Sequence, residues 1–231
     1  MNISGLQKTT LLDYPGHVAA TIFLGACNFR CPFCHNADLI DGTIQGTITE
    51  EEVLAFLRKR SSVLEGVCIT GGEPTLHAGL ADFIKKVREL GLLVKLDSNG
   101  YRPDVLKLLC EQGLLDYVAM DIKSGPTSYA RAAGLPGLDI AKIRESVSLL
   151  IHGSADYEFR TTVVSELHRA EDFEEIGPWL AGCSRYFLQC YKDSENVLLP
   201  GFSAPSKEAL LTYAGIVAPY VKNVALRGID Y

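Results

Sequence analysis

The feature that most constrains the fold of this 231-residue chain is a repeated alternation of a strand pattern and a helix pattern. Short apolar, β-branched runs such as Val18–Leu24 predict buried strands. Amphipathic segments follow them, and the first begins at Thr49, whose hydroxyl can form a capping box with Glu52. The predicted strands are Val18–Leu24, Gly66–Thr70, Leu92–Asp97, Tyr117–Ile122, Tyr157–Val164, Arg185–Leu188 and Val224–Leu226. After the helix at Thr49, the predicted helices are Leu80–Leu90, Pro103–Gln112, Asp139–Ile151, Glu171–Leu180 and Ser206–Val221.

Repeated strand-then-helix units favour a parallel sheet with helices on its outside. The six predicted units are fewer than the eight of a closed barrel. We therefore predict an α/β fold, an incomplete (β/α)6 barrel with parallel strands and outer helices. No low-complexity segment or linker divides the chain, so we expect residues 1–231 to form a single domain.

The composition narrows the class of protein. The net charge is −6, with Lys and Arg spread along the chain, which argues against nucleic acid or a membrane surface as a partner. The longest apolar stretch, Val18–Cys27, is too short to span a bilayer, and the N-terminal segment lacks a signal pattern. We expect a cytoplasmic protein. In a reducing cytosol, an odd count of seven cysteines indicates metal binding or catalysis rather than a disulfide framework.

Unusual residues follow four successive predicted strands at their carboxyl ends. They are Cys27 to Cys34, then Gly71-Gly72-Glu73, then Asp97-Ser98-Asn99-Gly100, and finally Asp121-Ile122-Lys123. Because sites in folds of this kind collect at the carboxyl ends of the strands, we expect these residues to face one cavity.

The cysteine loop places Cys27, Cys31 and Cys34 within eight residues, so that one loop can wrap its thiolates around one metal centre. A structural zinc site normally takes four ligands, and His35 is poorly placed to complete the set because it adjoins Cys34. A 4Fe–4S cluster on three cysteines leaves one iron open, which suggests a ligand-binding or catalytic cluster. The alternatives are reduced core cysteines and a structural zinc site.

The loop resembles the C-x3-C-x-aromatic-C signature of radical S-adenosylmethionine (SAM) enzymes, with Phe33 as the aromatic residue. The resemblance implies a 4Fe–4S cluster whose open iron chelates the methionine part of SAM. One electron from the cluster then cleaves the cofactor to a 5′-deoxyadenosyl radical, which abstracts a hydrogen atom. It also implies that Phe33 and His35 flank the cofactor.

The turn Gly71-Gly72-Glu73 allows close approach of the backbone, and Glu73 can pair with a cationic amino group. It resembles the GGE motif of the same superfamily, which holds the methionine ammonium. A structural turn is the alternative interpretation.

Two further motifs resemble those of a narrower group, the glycyl-radical enzyme activases. The resemblance implies that Asp97 and Ser98 lie beside the cofactor carboxylate, with Asp97 near a monovalent cation, and that Asp121 and Lys123 bind the ribose and the carboxylate. It also places an arginine such as Arg160 near the cofactor.

The residue pattern supports part of this independently. Asp121 and Lys123 are two apart on a strand and so point the same way, which means that each needs the other or a ligand. An inward-facing Arg160 would need an anionic partner, although a surface position is an equal alternative. A turn with a strand-end salt bridge is the structural alternative for Asp97, Ser98, Asp121 and Lys123.

The resemblance covers about residues 1–190 and is nearest to the activating proteins of anaerobic ribonucleoside-triphosphate reductases. It implies a glycyl-radical enzyme as partner and a flavodoxin or ferredoxin-type electron donor. One departure is that Phe187–Tyr191 lacks the histidine found there in pyruvate formate-lyase activases. The alternatives are a pyruvate formate-lyase-type activase, a radical SAM enzyme of the deazapurine synthase kind acting on a small molecule, and a structural or electron-transfer metal protein.

Overall fold

A computed structural model describes residues 1–40 and 48–229 of the chain. Its strands are β1 (Ile3–Thr10), β2 (Ala19–Leu24), β3 (Gly66–Gly71), β4 (Leu93–Ser98), β5 (Tyr117–Asp121), β6 (Asp156–Val163), β7 (Tyr186–Cys190) and β8 (Val224–Arg227). Its helices are α1 (Ala37–Ile40), α2 (Glu50–Arg60), α3 (Leu80–Arg88), α4 (Pro103–Glu111), α5 (Tyr129–Ala133), α6 (Ile140–His152), α7 (Ala170–Trp179) and α8 (Lys207–Val217), with a 3-10 turn over Pro74–Leu76.

Every predicted strand and helix is present, with ends that differ by at most a few residues. The Thr49–Glu52 capping box forms as predicted at the start of α2. The strands follow one another in the sheet in chain order from β1 to β8. The predicted class, an α/β fold of the incomplete-barrel type with parallel strands and helices between them, is therefore confirmed.

One strand was not predicted. β1 pairs antiparallel with β2, from Ile3 opposite Leu24 to Thr10 opposite Ala19. The pairing of β1 with β2 shifts register twice, and most side chains of β1 are partly or fully exposed. The strand therefore lacks the strict alternation of apolar and polar residues by which a sequence indicates a strand. The predicted α8 also ends four residues early, at Val217 rather than Val221.

The described residues group into two compact units. Unit 1 comprises Met1–Asn28, Asp38–Ala119 and Gly153–Asp156, apart from residues 41–47. In it β2, β3 and β4 run parallel, in a register that places Ala19 beside Gly66 and Gly66 beside Leu93. Because α3 presents one apolar stripe, its side chains at Leu80, Phe83, Ile84 and Val87 are fully buried.

Unit 2 comprises Phe29–Ala37, Met120–His152 and the remainder from Tyr157. Strands β6, β7 and β8 are parallel, with Phe159, Tyr186 and Val224 in register. On its helical side, Phe173 of α7 stacks on Tyr213 of α8 with ring centroids 4.4 Å apart. Across the described residues of both units, no helix is long and apolar enough to cross a membrane.

Candidate functional site

In unit 1 the loop after β2 is joined by its backbone to the turn after β3. The amide of Gly72 donates to the carbonyl of Leu24 (2.8 Å), and the amide of Glu73 donates to that of Ala26 (2.8 Å). Ala26 has a left-handed backbone with φ of 71° and stands directly before Cys27. A non-glycine residue in this region carries strain of roughly 1 kcal/mol, which these contacts hold in place.

The two glycines are required by this close approach. An added Cβ at Gly71 would lie 2.3 Å from the Leu24 carbonyl oxygen, and one at Gly72 would lie 2.0 Å from that of Ala26. Gly71 also has φ of 121°, which L side chains rarely adopt. The two glycines thus allow a close backbone approach within the protein. The predicted approach of this backbone to a ligand stays a prediction.

Glu73 is completely buried, and its carboxylate accepts four hydrogen bonds from unit 1. The donors to Oε1 are the Thr75 amide (3.1 Å), the Thr75 hydroxyl (2.6 Å) and the Ser98 hydroxyl (2.9 Å), and the Asn99 amide donates to Oε2 (2.6 Å). Burial raises the pKa of Glu73, and the hydrogen bonds oppose that rise. Glu73 thus ties the turn after β3 to the end of β4. Its predicted pairing with the methionine ammonium stays a prediction.

The end of β4 places Asp97, Ser98 and Asn99 together. Asp97 pairs with the ammonium of Lys95, two residues earlier on the same strand. The side-chain amide of Asn99 donates to Oδ1 of Asn28 (2.7 Å), the residue after Cys27. Sequence reasoning missed Asn99 and Lys95 as members of the site, although Asn99 belongs to a motif that it singled out.

In unit 2 the remaining part of the cysteine loop packs on the end of α5. The amide of Arg30 donates to the carbonyl of Ala133 (2.9 Å), and Sγ of Cys31 lies 3.7 Å from the same oxygen. Gly134 ends α5 in a left-handed conformation, and an added Cβ there would lie 2.0 Å from the Arg30 carbonyl. Cys31 is 6% exposed, and Cys34 is partly exposed.

The long connection after β7 also contacts the cysteine loop. The amides of Leu198 and Leu199 donate to the carbonyls of Cys34 (3.1 Å) and Pro32 (2.9 Å). His35 uses Nε2 to contact the Lys192 carbonyl (2.5 Å). The cysteine loop is therefore held from two sides within unit 2, by α5 and by this connection. Whether His35 flanks the cofactor stays a prediction.

Asp121, Lys123 and Arg160 form an ion-paired triad at the end of β5 and the middle of β6. Lys123 Nζ donates to Oδ2 of Asp121 (2.9 Å), and Arg160 Nε donates to Oδ1 (2.9 Å). Asp121 and Lys123 therefore point the same way, as the strand pattern predicted, and Arg160 pairs with the Asp121 carboxylate. Whether these side chains bind the cofactor stays a prediction. All three side chains remain partly exposed, at 31%, 16% and 17% respectively.

The triad holds its charges at neutral pH. Burial alone would raise the pKa of Asp121, but Arg160 and Lys123 outweigh it and hold that pKa well below its usual range. Burial alone would lower the pKa of Lys123, but the Asp121 carboxylate raises it above its usual range. One carboxylate and two cations leave an excess of one positive charge, which suits an anionic group of a ligand.

His168 is a member of this region that sequence reasoning missed. It is 2% exposed, its Nδ1 accepts from the Val164 amide (3.0 Å), and its Nε2 donates to the Lys123 carbonyl (2.8 Å). Its ring lies edge-on to that of Phe33, with centroids 6.4 Å apart. His168 lies in the loop after β6 and belongs to no motif that includes a predicted site residue. The sequence therefore offered no signal for it.

The donor set of the cysteine loop, three thiols within eight residues, suits a 4Fe–4S cluster that leaves one iron open. Within residues 1–40 and 48–229, no three His, Cys, Asp or Glu side chains converge as ligands of one metal ion. A cluster does not require this, since each cysteine binds a different iron. All seven cysteines lie in the described ranges and are thiols rather than disulfides. Among them, Cys183 is fully buried, and burial raises its pKa to about 12.

Comparison with known proteins identifies the class. Residues 21–175 match the family described as the Radical SAM superfamily. A solved structure, Streptococcus suis SuiB bound to S-adenosylmethionine, superposes with a TM-score of 0.67 at 14% identity, over 88% of this chain and 48% of SuiB. The chain belongs to the radical SAM superfamily and is an enzyme of that class. Its cofactors are therefore a 4Fe–4S cluster and S-adenosylmethionine.

Within the superfamily, the chain groups with the glycyl-radical enzyme activating enzymes. A protein of Methanocaldococcus jannaschii provisionally named as such an enzyme is 31% identical over 99% of this chain and 96% of its own length. A Thermococcus kodakarensis protein provisionally named GTP 3′,8-cyclase is 28% identical over 65% of this chain and 48% of its own length.

Proposed function

We propose that this chain is an activating enzyme that generates a glycyl radical on a partner, and that the partner is an anaerobic ribonucleoside-triphosphate reductase. When bound, the cluster and SAM would supply the chemistry: one electron would break the sulfonium carbon–sulfur bond and give methionine and a 5′-deoxyadenosyl radical. Transfer of one Cα hydrogen atom from a partner glycine to that radical would give 5′-deoxyadenosine and the glycyl radical. The electron comes from a flavodoxin or ferredoxin-type donor in the cytoplasm, and residues 1–231 work as a single domain.

One observation supports the activase part of this proposal, the extent of the similarity to the M. jannaschii protein. It covers nearly the full length of both chains. The similarity to the GTP 3′,8-cyclase, by contrast, leaves about half of that protein unmatched. The choice of reductase rests on the motif resemblance described above.

We assign the cluster to Cys27, Cys31 and Cys34. When bound, the cluster supplies one electron, and the residues of the chain hold the cluster and SAM in position. The residues assigned to SAM are Phe33, His35, Gly71, Gly72, Glu73, Asp97, Ser98, Asp121, Lys123 and Arg160. None of them needs to act as general acid or base, because the hydrogen moves as an atom.

The contacts within each unit define narrower roles. The Glu73 carboxylate accepts four hydrogen bonds from the protein, so besides its assignment to SAM we assign it to holding the turn after β3 in place. The partly exposed Lys123 and Arg160 are assigned to the cofactor carboxylate, with Asp121 fixing the direction of both cations.

The test is an anaerobic reconstitution with iron and sulfide, followed by dithionite, SAM and the purified reductase encoded in the same genome. Chromatography follows 5′-deoxyadenosine and methionine, and electron paramagnetic resonance (EPR) follows a glycyl radical on the reductase. Cys31→Ala is the inactive variant. Cys110→Ala is the matched control, because this partly exposed α4 residue lies outside the cysteine loop.

We expect cleavage products from the wild-type protein and from Cys110→Ala, a glycyl radical only with the reductase present, and neither from Cys31→Ala. Cleavage with a radical on pyruvate formate-lyase but not on the reductase would reject the assigned partner. Cleavage coupled only to turnover of a small molecule such as a pterin would reject the activase proposal. A loaded cluster that binds no SAM would reject the radical chemistry and favour an electron-transfer role.

A further inference from the structure

The sheet of unit 2 has two faces that differ in burial. On one face Phe159, Thr161, Tyr186 and Leu188 are at most 1% exposed. Because side chains alternate along a strand, the residues between them form the opposite face, which we call the open face since most of its side chains are partly exposed. On the open face lie Glu158, Arg160, Thr162, Phe187, Gln189 and Arg227.

The charged side chains of the open face are all paired. Arg227 donates to both carboxylate oxygens of Glu158 (2.7 and 2.8 Å), and its guanidinium carbon lies 3.4 Å from the centre of the Phe187 ring. Arg160 donates to Asp121 (2.9 Å). The one excess positive charge lies in the triad and is assigned to the cofactor carboxylate. A second ligand on this face therefore meets neutral hydrogen-bonding groups.

Thr162 and Gln189 supply those neutral groups. They are register partners near the carboxyl ends of β6 and β7, so their side chains lie side by side. Both are partly exposed, and within residues 1–40 and 48–229 neither side chain forms a hydrogen bond to another residue. Thr162 is two residues beyond Arg160 on the same strand, a distance of about 7 Å. The pair therefore adjoins the proposed cofactor site.

The proposed substrate limits how it can be recognised. A glycine residue has no side chain, so an enzyme holds it only through the N–H and C=O groups of the backbone around it. A glutamine carboxamide carries a donor and an acceptor, and it can bond both the N–H and the C=O of one extended residue. A threonine hydroxyl adds a further donor and acceptor. A carboxylate or an ammonium in the same place would offer only acceptors or only donors.

We infer that Thr162 and Gln189 are substrate-binding residues that hold the backbone beside the reacting glycine of the partner. The inference rests on the proposed function, which supplies a glycine substrate and places Arg160 at SAM. The hydrogen atom passes from the glycine Cα to the cofactor, so neither side chain takes part in the transfer. Loss of either polar group should impair use of the partner and leave the affinity for SAM unchanged.

The experiment makes two measurements on the anaerobically reconstituted protein. Equilibrium dialysis gives the SAM dissociation constant, and EPR gives the rate of glycyl radical formation at limiting concentrations of the reductase. Gln189→Leu removes the carboxamide at similar size, and Thr162→Val removes the hydroxyl. For each variant we expect the rate to fall about tenfold, because hydrogen bonding to the partner backbone is lost, and the SAM dissociation constant to change by less than about twofold.

Two further variants serve as controls. Thr162→Ser keeps a hydroxyl and should keep the native rate to within about twofold. Gln112→Leu removes an exposed carboxamide at the end of α4 and should match the native protein in both measurements.

Unchanged rates for both Gln189→Leu and Thr162→Val would overturn the inference, as would a rate for Thr162→Ser as low as that for Thr162→Val. A SAM dissociation constant that rises as much as the rate falls would also overturn it, and would assign the pair to the cofactor pocket instead. If Gln189→Leu fails to load iron, Thr162→Val and Thr162→Ser decide. A native protein that cleaves SAM but forms no glycyl radical on the reductase would instead reject the proposed function.

Discussion

The substitution Gly72→Ala tests how closely the turn after β3 approaches the cysteine loop. The new Cβ would lie 2.0 Å from the Ala26 carbonyl oxygen, 2.7 Å from its carbon and 3.3 Å from Cβ of Cys27. The first two are backbone atoms, which cannot move aside as a flexible side chain can. We therefore expect the backbone around Ala26 and Cys27 to shift.

The size of the effect follows from what that shift breaks. Overpacking a tight contact costs about 1–3 kcal/mol. The Ala26 carbonyl also accepts the Glu73 amide at 2.8 Å, and loss of that hydrogen bond adds about 1–3 kcal/mol where the donor is left without a partner. For a chain of this length each kcal/mol lowers Tm by about 2–4 °C. We expect Tm to fall by at least about 5 °C, and iron loading to fall with it because Cys27 moves.

The assay is a thermal unfolding scan of the protein before reconstitution, with iron per chain measured after it. Gly79→Ala is the control, because its Cβ would meet nothing closer than Cγ of Met1 at 3.6 Å. If Gly72→Ala melts and loads iron like Gly79→Ala, the close approach described here is incorrect.

Three further predictions follow from other contacts. Burial lowers the pKa of His168, so the native state should lose stability as pH falls below about 6.5, where the unfolded chain takes up the proton first. In urea unfolding from pH 8 to 5, His168→Gln should lose less stability than the native protein. The exposed His152→Gln should lose as much as the native protein. Arg227 donates two hydrogen bonds to the buried Glu158 (2.7 and 2.8 Å). Arg227→Ala should therefore lower the free energy of unfolding by about 3 kcal/mol, because it leaves a buried carboxylate without this partner. A loss in urea unfolding as small as that of an exposed ion pair, below about 1 kcal/mol, would refute the reasoning. Gly215 lies inside α8 with open space around its Cβ position, so Gly215→Ala should stabilise the protein by about 0.5–1 kcal/mol, and a lower Tm would contradict this.

The sequence predicted the parts of the site that depend on local spacing. Cys27, Cys31 and Cys34 are visible because three thiols in eight residues are rare, and the pairing of Asp121 with Lys123 follows from the alternation of side chains along a strand. These features need no knowledge of which strands are neighbours.

Other parts depend on how distant segments meet, and the sequence does not contain that information in a local pattern. The four donors to Glu73 come from Thr75, Ser98 and Asn99, and two of these residues reach it only because β4 ends beside the turn after β3. The left-handed backbone of Ala26 was equally unpredicted, since alanine is not a residue that favours it.

Lys95 is a different case, because the alternation rule was sufficient to find it. A lysine in the middle of the apolar run Leu92–Asp97 is two residues from Asp97, the same separation as that of Lys123 from Asp121. A charged residue inside a predicted buried strand needs a partner on the same face, and Asp97 is the nearest candidate.

The two pairs together indicate where negative charge can be accommodated. In unit 1, Lys95 and Asp97 cancel each other, and the ammonium is buried, so this pair offers no excess charge to a ligand. In unit 2, Asp121 is matched by Lys123 and Arg160, so one positive charge remains, on side chains that are partly exposed. SAM carries one carboxylate beside two cationic groups, so its anionic end has a counterpart only where cations exceed carboxylates. Of these two clusters, the one that meets this condition is the triad of Asp121, Lys123 and Arg160, which is why its cations, rather than Lys95, are assigned to the cofactor carboxylate.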